Sequence, residues 1–93
     1  MCRNIRVLYN FAPPTTDEEV RAAAVQYVRK VSGLAKPSTL DAEAFDGAVE
    51  EVAAATRRLL VSLKARTAVR TREGEREKAR ARGERRDARR PPP

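Results

Sequence analysis

Residues 16–33 read TDEEVRAAAVQYVRKVSG, and this stretch decides the fold. Thr16, followed three residues later by Glu19, is a capping box. The Thr16 hydroxyl accepts from the Glu19 backbone N–H, and the Glu19 carboxylate accepts from the Thr16 N–H. Asp17, Glu18 and Glu19 also place negative charge at the positive end of a helix dipole. Val20, Ala23, Ala24, Tyr27, Val28 and Val31 recur at spacings of three and four, which makes one apolar stripe. Arg29 and Lys30 suit the negative end of the dipole, and Gly33 suits a left-handed cap. The spacing predicts a helix from Asp17 to Ser32.

Downstream, residues 34–39 read LAKPST, a loop containing Pro37. A second helix is expected from Leu40 or Asp41 to Ala65. Phe45, Val49, Val52, Thr56, Leu59, Leu60 and Leu63 share one face of it; Glu50, Glu51, Arg57 and Arg58 lie away from that face. At 1.5 Å per residue it is roughly 37 Å long, against roughly 24 Å for the first helix. The two helices form an antiparallel hairpin whose longer arm needs other cover. Val25 and Val61 fall off the stripes. They are either isolated exposed apolar residues or contacts for the N-terminal segment or a second subunit.

Upstream, residues 2–11 read CRNIRVLYNF. Ile5, Val7, Tyr9 and Phe11 alternate with Arg6, Leu8 and Asn10, the period of a strand or extended segment. Leu8 interrupts the polar side, which leaves a helical turn open as well. Ala12-Pro13-Pro14 stops any regular element. The segment is expected to lie across the helices or to pair with its copy in a homodimer.

Residues 66–93 contain one large apolar residue, Val69, and no aromatic; Gly74 and Gly83 interrupt them and three prolines end them. This composition forms no core. Glu73 to Arg90 favours transient helix by propensity, but alone it is expected to be mostly disordered. The expected architecture is therefore all-α: an antiparallel two-helix hairpin with an extended N-terminal segment and a disordered basic C-terminal tail. The expected division is a small helical domain over 1–65 and a tail over 66–93.

Charge follows the same division. Residues 1–63 hold eight Lys/Arg and eight Asp/Glu, whereas residues 64–93 hold twelve Lys/Arg and five Asp/Glu. The whole net charge of +7 sits in the last thirty residues. Arg outnumbers Lys sixteen to four. A GC-rich genome yields that bias, and so does selection for a planar fork that grips phosphate at two points.

Composition narrows the chemistry. There is no His and one Cys, which excludes Ser-His-Asp and Cys-His catalysis and every His-containing zinc site. One Cys allows no internal disulfide and points to a reducing compartment. No apolar run reaches the roughly 20 residues that span a bilayer, and the start lacks the apolar stretch of a secretory signal. A cytoplasmic protein without membrane contact is expected.

Several segments together resemble a known family. They are MCRNI at the start, YNFAPP with the capping box, QYVRKVSGLAKPS, and FDGAVEEVAAATRRLL. In order and spacing they are similar to a family of short, uncharacterised bacterial proteins beginning Met-Cys-Arg-Asn-Ile, grouped as a domain of unknown function. The resemblance covers residues 1–63 and leaves the basic arm outside. It implies a bacterial origin and no particular activity.

Three groups of residues carry candidate chemistry. Removal of Met1 would expose Cys2 as an N-terminal thiol with its own amine as base. Arg3 and Arg6 nearby would favour thiolate, so Cys2 is a candidate reactive thiol. The chain has neither the strands nor the length of an N-terminal nucleophile amidase, and catalysis is not expected. Arg29, Lys30, Lys36 and Ser38 flank the interhelix loop and form a candidate anion-binding loop at the second helix's N-terminus. The acids at the two helix starts, Asp17, Glu18 and Glu19, then Asp41, Glu43 and Asp46, serve capping. Arg76, Lys78, Arg80, Arg82, Arg85, Arg86, Arg89 and Arg90 form a candidate polyanion-binding tract. The five interspersed acids weaken that reading, and no aromatic is there to stack on bases. The expected function is a small helical binding module that engages RNA or a ribonucleoprotein without sequence specificity. The alternative is a protein–protein adaptor or homodimer acting through residues 1–63, and a third reading is a thiol-based sensor or enzyme using Cys2. No metal, cofactor or small-molecule substrate is expected.

Overall fold

A computed structural model of the chain describes residues 5–89. It is all-helical, with α1 at Asp17–Ser32, α2 at Ala42–Ser62 and α3 at Arg72–Arg89. The expected two-helix hairpin with a disordered tail is thus corrected to three helices.

Helix α1 has the expected bounds, because its ends are fixed locally. Thr16 accepts from the Glu19 N–H at 3.2 Å, and Glu19 accepts from the Thr16 N–H at 2.9 Å. Gly33 closes the other end at φ 74°, and its N–H donates to Arg29 O.

Helix α2 begins two residues after Leu40 and stops three residues before Ala65. No basic residue occupies its last turn, and no left-handed residue caps it, since Leu63 is extended. α1 and α2 pack on each other. Asp17 pairs with Arg57 at 3.2 Å, and Arg21 pairs with Glu50. The start of α1 therefore lies beside the end of α2, and the pair is antiparallel.

The core consists of Leu8, Val20, Ala24, Val28, Phe45, Val49 and Ala53. Ala24 and Ala53 are fully enclosed, and their small side chains let the two helices close up. The expected α2 stripe is corrected at its far end. Leu59 and Leu63 are exposed, because α1 is five residues shorter and leaves α2's last turns uncovered. Tyr27 and Val31 are likewise half-exposed or more. Val25 packs on the core, while Val61 is open to solvent.

The N-terminal segment covers the hairpin through Leu8, the residue that interrupts the alternation, while Ile5 and Val7 are exposed. Thr15 Oγ1 donates to Leu8 O. The segment's partner comes from its own chain. Phe11 and Arg70 form an isolated parallel bridge. Ala12 N donates to Arg70 O at 2.9 Å, and Arg70 N donates to Asn10 O at 2.7 Å. The stretch expected to be disordered is therefore built into the molecule at its beginning.

Candidate functional site

Helix α3 carries the candidate tract. Thr71 starts it: the Gly74 N–H donates to Thr71 Oγ1 at 2.9 Å, an N-cap bond. Residues 72–89 are Arg, Glu, Lys and Ala with two glycines and one aspartate, mostly strong helix formers. Glu75 pairs with Lys78 at 3.6 Å, and Glu77 pairs with Arg80. α3 packs against neither α1 nor α2 along its length. It offers no large apolar side chain with which to do so.

At 100° per residue the helix sorts the charges that the linear sequence interleaves. Lys78, Arg82 and Arg85 stand at i, i+4 and i+7, with Arg86 beside them. Glu73, Glu77 and Glu84 stand at i, i+4 and i+11 on the other side. The basic stripe from Lys78 to Arg85 spans roughly 10 Å, and all four of its cations are exposed. Glu73, Glu77 and Glu84 lie on the opposite face, whereas Glu75 stands among the cations and pairs with Lys78. Arg76 and Arg80 lie toward the acidic side, and Arg80 is engaged by Glu77. Arg90 lies outside the described residues, as does the side chain of Arg89.

A cluster of bonds fixes where α3 starts. Asn10 stands in the left-handed region at φ 64°, which Asn tolerates better than most residues. Its Nδ2 donates to Thr67 O at 3.2 Å and to Ala68 O at 3.1 Å. Arg70 Nη1 donates to Tyr9 O at 2.9 Å, and Arg70 Nε meets Glu75 Oε1 at 3.3 Å. Arg72 grips Glu19 at two points, Nη2 to Oε1 at 2.7 Å and Nε to Oε2 at 3.1 Å. Arg6 reaches Glu19 Oε2 at 3.3 Å. Glu19 thus joins the N-terminal segment, the first turn of α1 and the first turn of α3. The Arg72 guanidinium, followed by the Thr16 N–H, holds the Glu19 carboxyl down at about 2 against an ordinary 4.5.

These residues were missed as a site, and no local signal marks them. The pairs that join residues 9–19 to residues 67–72 are 53 to 61 residues apart, while the periodicities that reveal helices act over a few residues.

The candidate anion loop is not assembled. Arg29, Lys30, Lys36 and Ser38 are all exposed, and no bond among the four is present. Ser38 Oγ donates to Asp41 Oδ2 at 3.1 Å, and Asp41 N donates to Ser38 O at 3.1 Å. The Asp41 carboxylate therefore already supplies negative charge at the start of α2. Cys2 lies outside the described residues.

An open apolar groove of about 340 Å³ separates the C-terminal half of α1 from the start of α2. Tyr27, Val31, Leu34, Phe45 and Val52 line it. Among the described residues no cluster of Cys, Asp or Glu is arranged to hold a metal. Among them, too, no helix is long and apolar enough to cross a membrane.

Residues 1–78 match the model of a family described as an uncharacterised conserved protein, DUF2277. The match runs past residue 63, where the sequence resemblance was placed. It takes in the whole bonded cluster and ends at Lys78, so Arg82, Arg85 and Arg86 lie beyond it. No curated protein and no solved structure matches the chain.

Proposed function

The chain belongs to this uncharacterised conserved protein family, and we propose that it is a polyanion-binding module whose α3 lays its basic face on the phosphate backbone of RNA. One observation carries the reading: α3 gathers Lys78, Arg82, Arg85 and Arg86 on one face, with Glu75 among them, and carries Glu73, Glu77 and Glu84 on the other. A face of net positive charge draws counterion-coated phosphates, and the release of those counterions drives binding. Large apolar and aromatic side chains are absent from α3, so the contact is electrostatic and indifferent to base identity. Catalysis is not part of this reading.

The test is titration of the full chain with a single-stranded RNA homopolymer over a range of salt. The logarithm of affinity should fall linearly with the logarithm of salt concentration. Replacing Lys78, Arg82 and Arg85 together with Gln should flatten the slope by about 2, at about 0.7 per lost phosphate contact. Binding by that variant equal to the parent chain would remove the proposal.

A second reading rests on the groove at Tyr27, Val31 and Phe45 and on nearby Leu40, which is 95% exposed. Apolar surface of this kind favours contact with another protein, a second copy of the chain being the simplest occupant. Sedimentation of the full chain decides it: a monomer at high concentration counts against it.

A further inference from the structure

Arg72 opens α3 and belongs by composition to the cations of the arm. Its geometry gives it a different task. Nε and Nη2 hold both oxygens of Glu19, Nη1 donates to Pro13 O at 2.8 Å, and Nη2 donates to Pro14 O at 3.1 Å. The guanidinium carbon stands 5.4 Å from the centroid of the Phe11 ring. A guanidinium has five N–H donors in a fixed fork, and this one is turned inward on four acceptors. A lysine ammonium has neither the fork nor the plane.

We propose that Arg72 is a positioning residue: it docks the first turn of α3 on the N-terminus of α1, and so presents Lys78, Arg82 and Arg85 as a formed face without itself touching the polyanion. The inference rests on the reading of α3 as the interface. Its physical basis is the cost of starting a helix. The first turn fixes several residues for one hydrogen bond, so an isolated helix of this length is marginal in water. α3 has no apolar face packed on the hairpin to offset that cost. Its first turn is instead held from outside, by Arg72 on Glu19, by Arg70 on Tyr9 O, and by the Thr71 cap. Unlatched, α3 exists as a helix only part of the time. Apparent affinity then falls by the fraction of chains that are competent, about tenfold if one chain in ten is helical.

The experiment compares Arg72→Gln, Phe11→Leu and Lys78→Gln in the full chain, by amide hydrogen exchange and by salt-dependent binding to polyuridylate. Arg72→Gln should speed exchange along α3 and weaken binding about tenfold, with the salt slope unchanged. Lys78→Gln should keep α3 protected and flatten the slope by about 0.7. Amides of Val20–Val28 and Phe45–Ala53 serve as the fold control. If Arg72→Gln disturbs them, Phe11→Leu, which removes the ring and leaves the Glu19 pair, should show the same direction more weakly. A slope flattened by Arg72→Gln as much as by Lys78→Gln would make Arg72 a phosphate contact and overturn the proposal. Unchanged α3 exchange in Arg72→Gln would overturn it as well. Failure of the parent chain to bind polyuridylate would sink the RNA reading, and the exchange comparison would still decide whether Arg72 positions α3.

Discussion

Glu19 shows how much one side chain can join. It was legible as half of a capping box, and the structure confirms that role through Thr16. Its second role, as the acceptor for Arg72 and Arg6, depends on chain segments far away in sequence. The pH dependence follows from the bond set. The folded carboxyl titrates at about 2, below its ordinary 4.5, so its contribution is complete above about 4.5 and is lost as pH falls toward 2. The difference corresponds to roughly 3 kcal/mol. Water around a partly exposed pair, with Glu19 18% and Arg72 29% exposed, reduces that to roughly 2 kcal/mol. Unfolding free energy measured between pH 5 and 2 should therefore drop in the parent chain and drop less in Glu19→Gln. Equal pH dependence in the two would show that the bonds to Glu19 contribute nothing. Asn10 gives a second test at this scale. Asn10→Val forces a β-branched residue to φ 64° and removes both bonds to residues 67 and 68. A loss of about 2–3 kcal/mol is expected in denaturant unfolding, whereas Asn10→Gly should lose only the side-chain bonds.

Helices α1 and α3 mark the two limits of what a pattern reveals. α1 carries its cap, its stripe and its terminal glycine within eighteen consecutive residues, so all three agree and the bounds were legible. In α2 the stripe was legible but its depth was not. Leu59 and Leu63 look like core by spacing, yet burial depends on how far α1 reaches. α3 has no stripe of apolar residues, and composition alone gave disorder. Its helicity rests on propensity, on the Thr71 cap and on the latch at Arg72. The two glycines of α3 separate these causes. A Cβ on Gly83 would meet only Arg86 Nη2 at 3.9 Å, whereas a Cβ on Gly74 would stand 2.8 Å from Thr71 Oγ1. Gly83→Ala should therefore stabilise α3 by up to about 1 kcal/mol, read as added helicity by circular dichroism. Gly74→Ala makes the same gain in propensity but displaces the cap, worth about 1 kcal/mol, and should show no net gain. A gain at Gly74 equal to that at Gly83 would mean that the Thr71 cap is not stabilising.

The whole molecule is open rather than round. Its radius of gyration is 16.6 Å and its extents are 48 × 41 × 16 Å, against roughly 12 Å of radius for a compact domain of this length. The excess comes from α3, which is joined to the hairpin at one end and stands away from it. Neutral hairpin and basic helix are therefore separate in charge but not in structure, since residues 67–72 complete the N-terminal segment. Charge bookkeeping could show the first fact; only the long-range pairing of Asn10 and Phe11 with Arg70 shows the second. The consequence is testable by cutting the chain after Lys64. Among the described residues none of the buried core lies beyond Ala53, so α1 and α2 should keep their helicity and their slow amides. The Ala12 amide should lose protection, because its acceptor Arg70 O is gone. Losing the bonds to Thr67, Ala68 and Arg70 together with the Arg72–Glu19 pair, about 3–4 kcal/mol in all, should lower the melting temperature by roughly 15 °C or more. Weaker RNA binding by such a fragment would then mix two effects, the missing basic face and a loosened N-terminal segment. Substitutions at Arg82 and Arg85 separate them, because these two lie outside the bonded cluster around Glu19, whereas Lys78 reaches it through Glu75 and Arg70. If the fragment instead lost the slow amides of Val20–Val28 and Phe45–Ala53, the bonds from residues 67–72 would be holding the hairpin itself together, and α3 would be an extension of the core rather than a helix mounted on it.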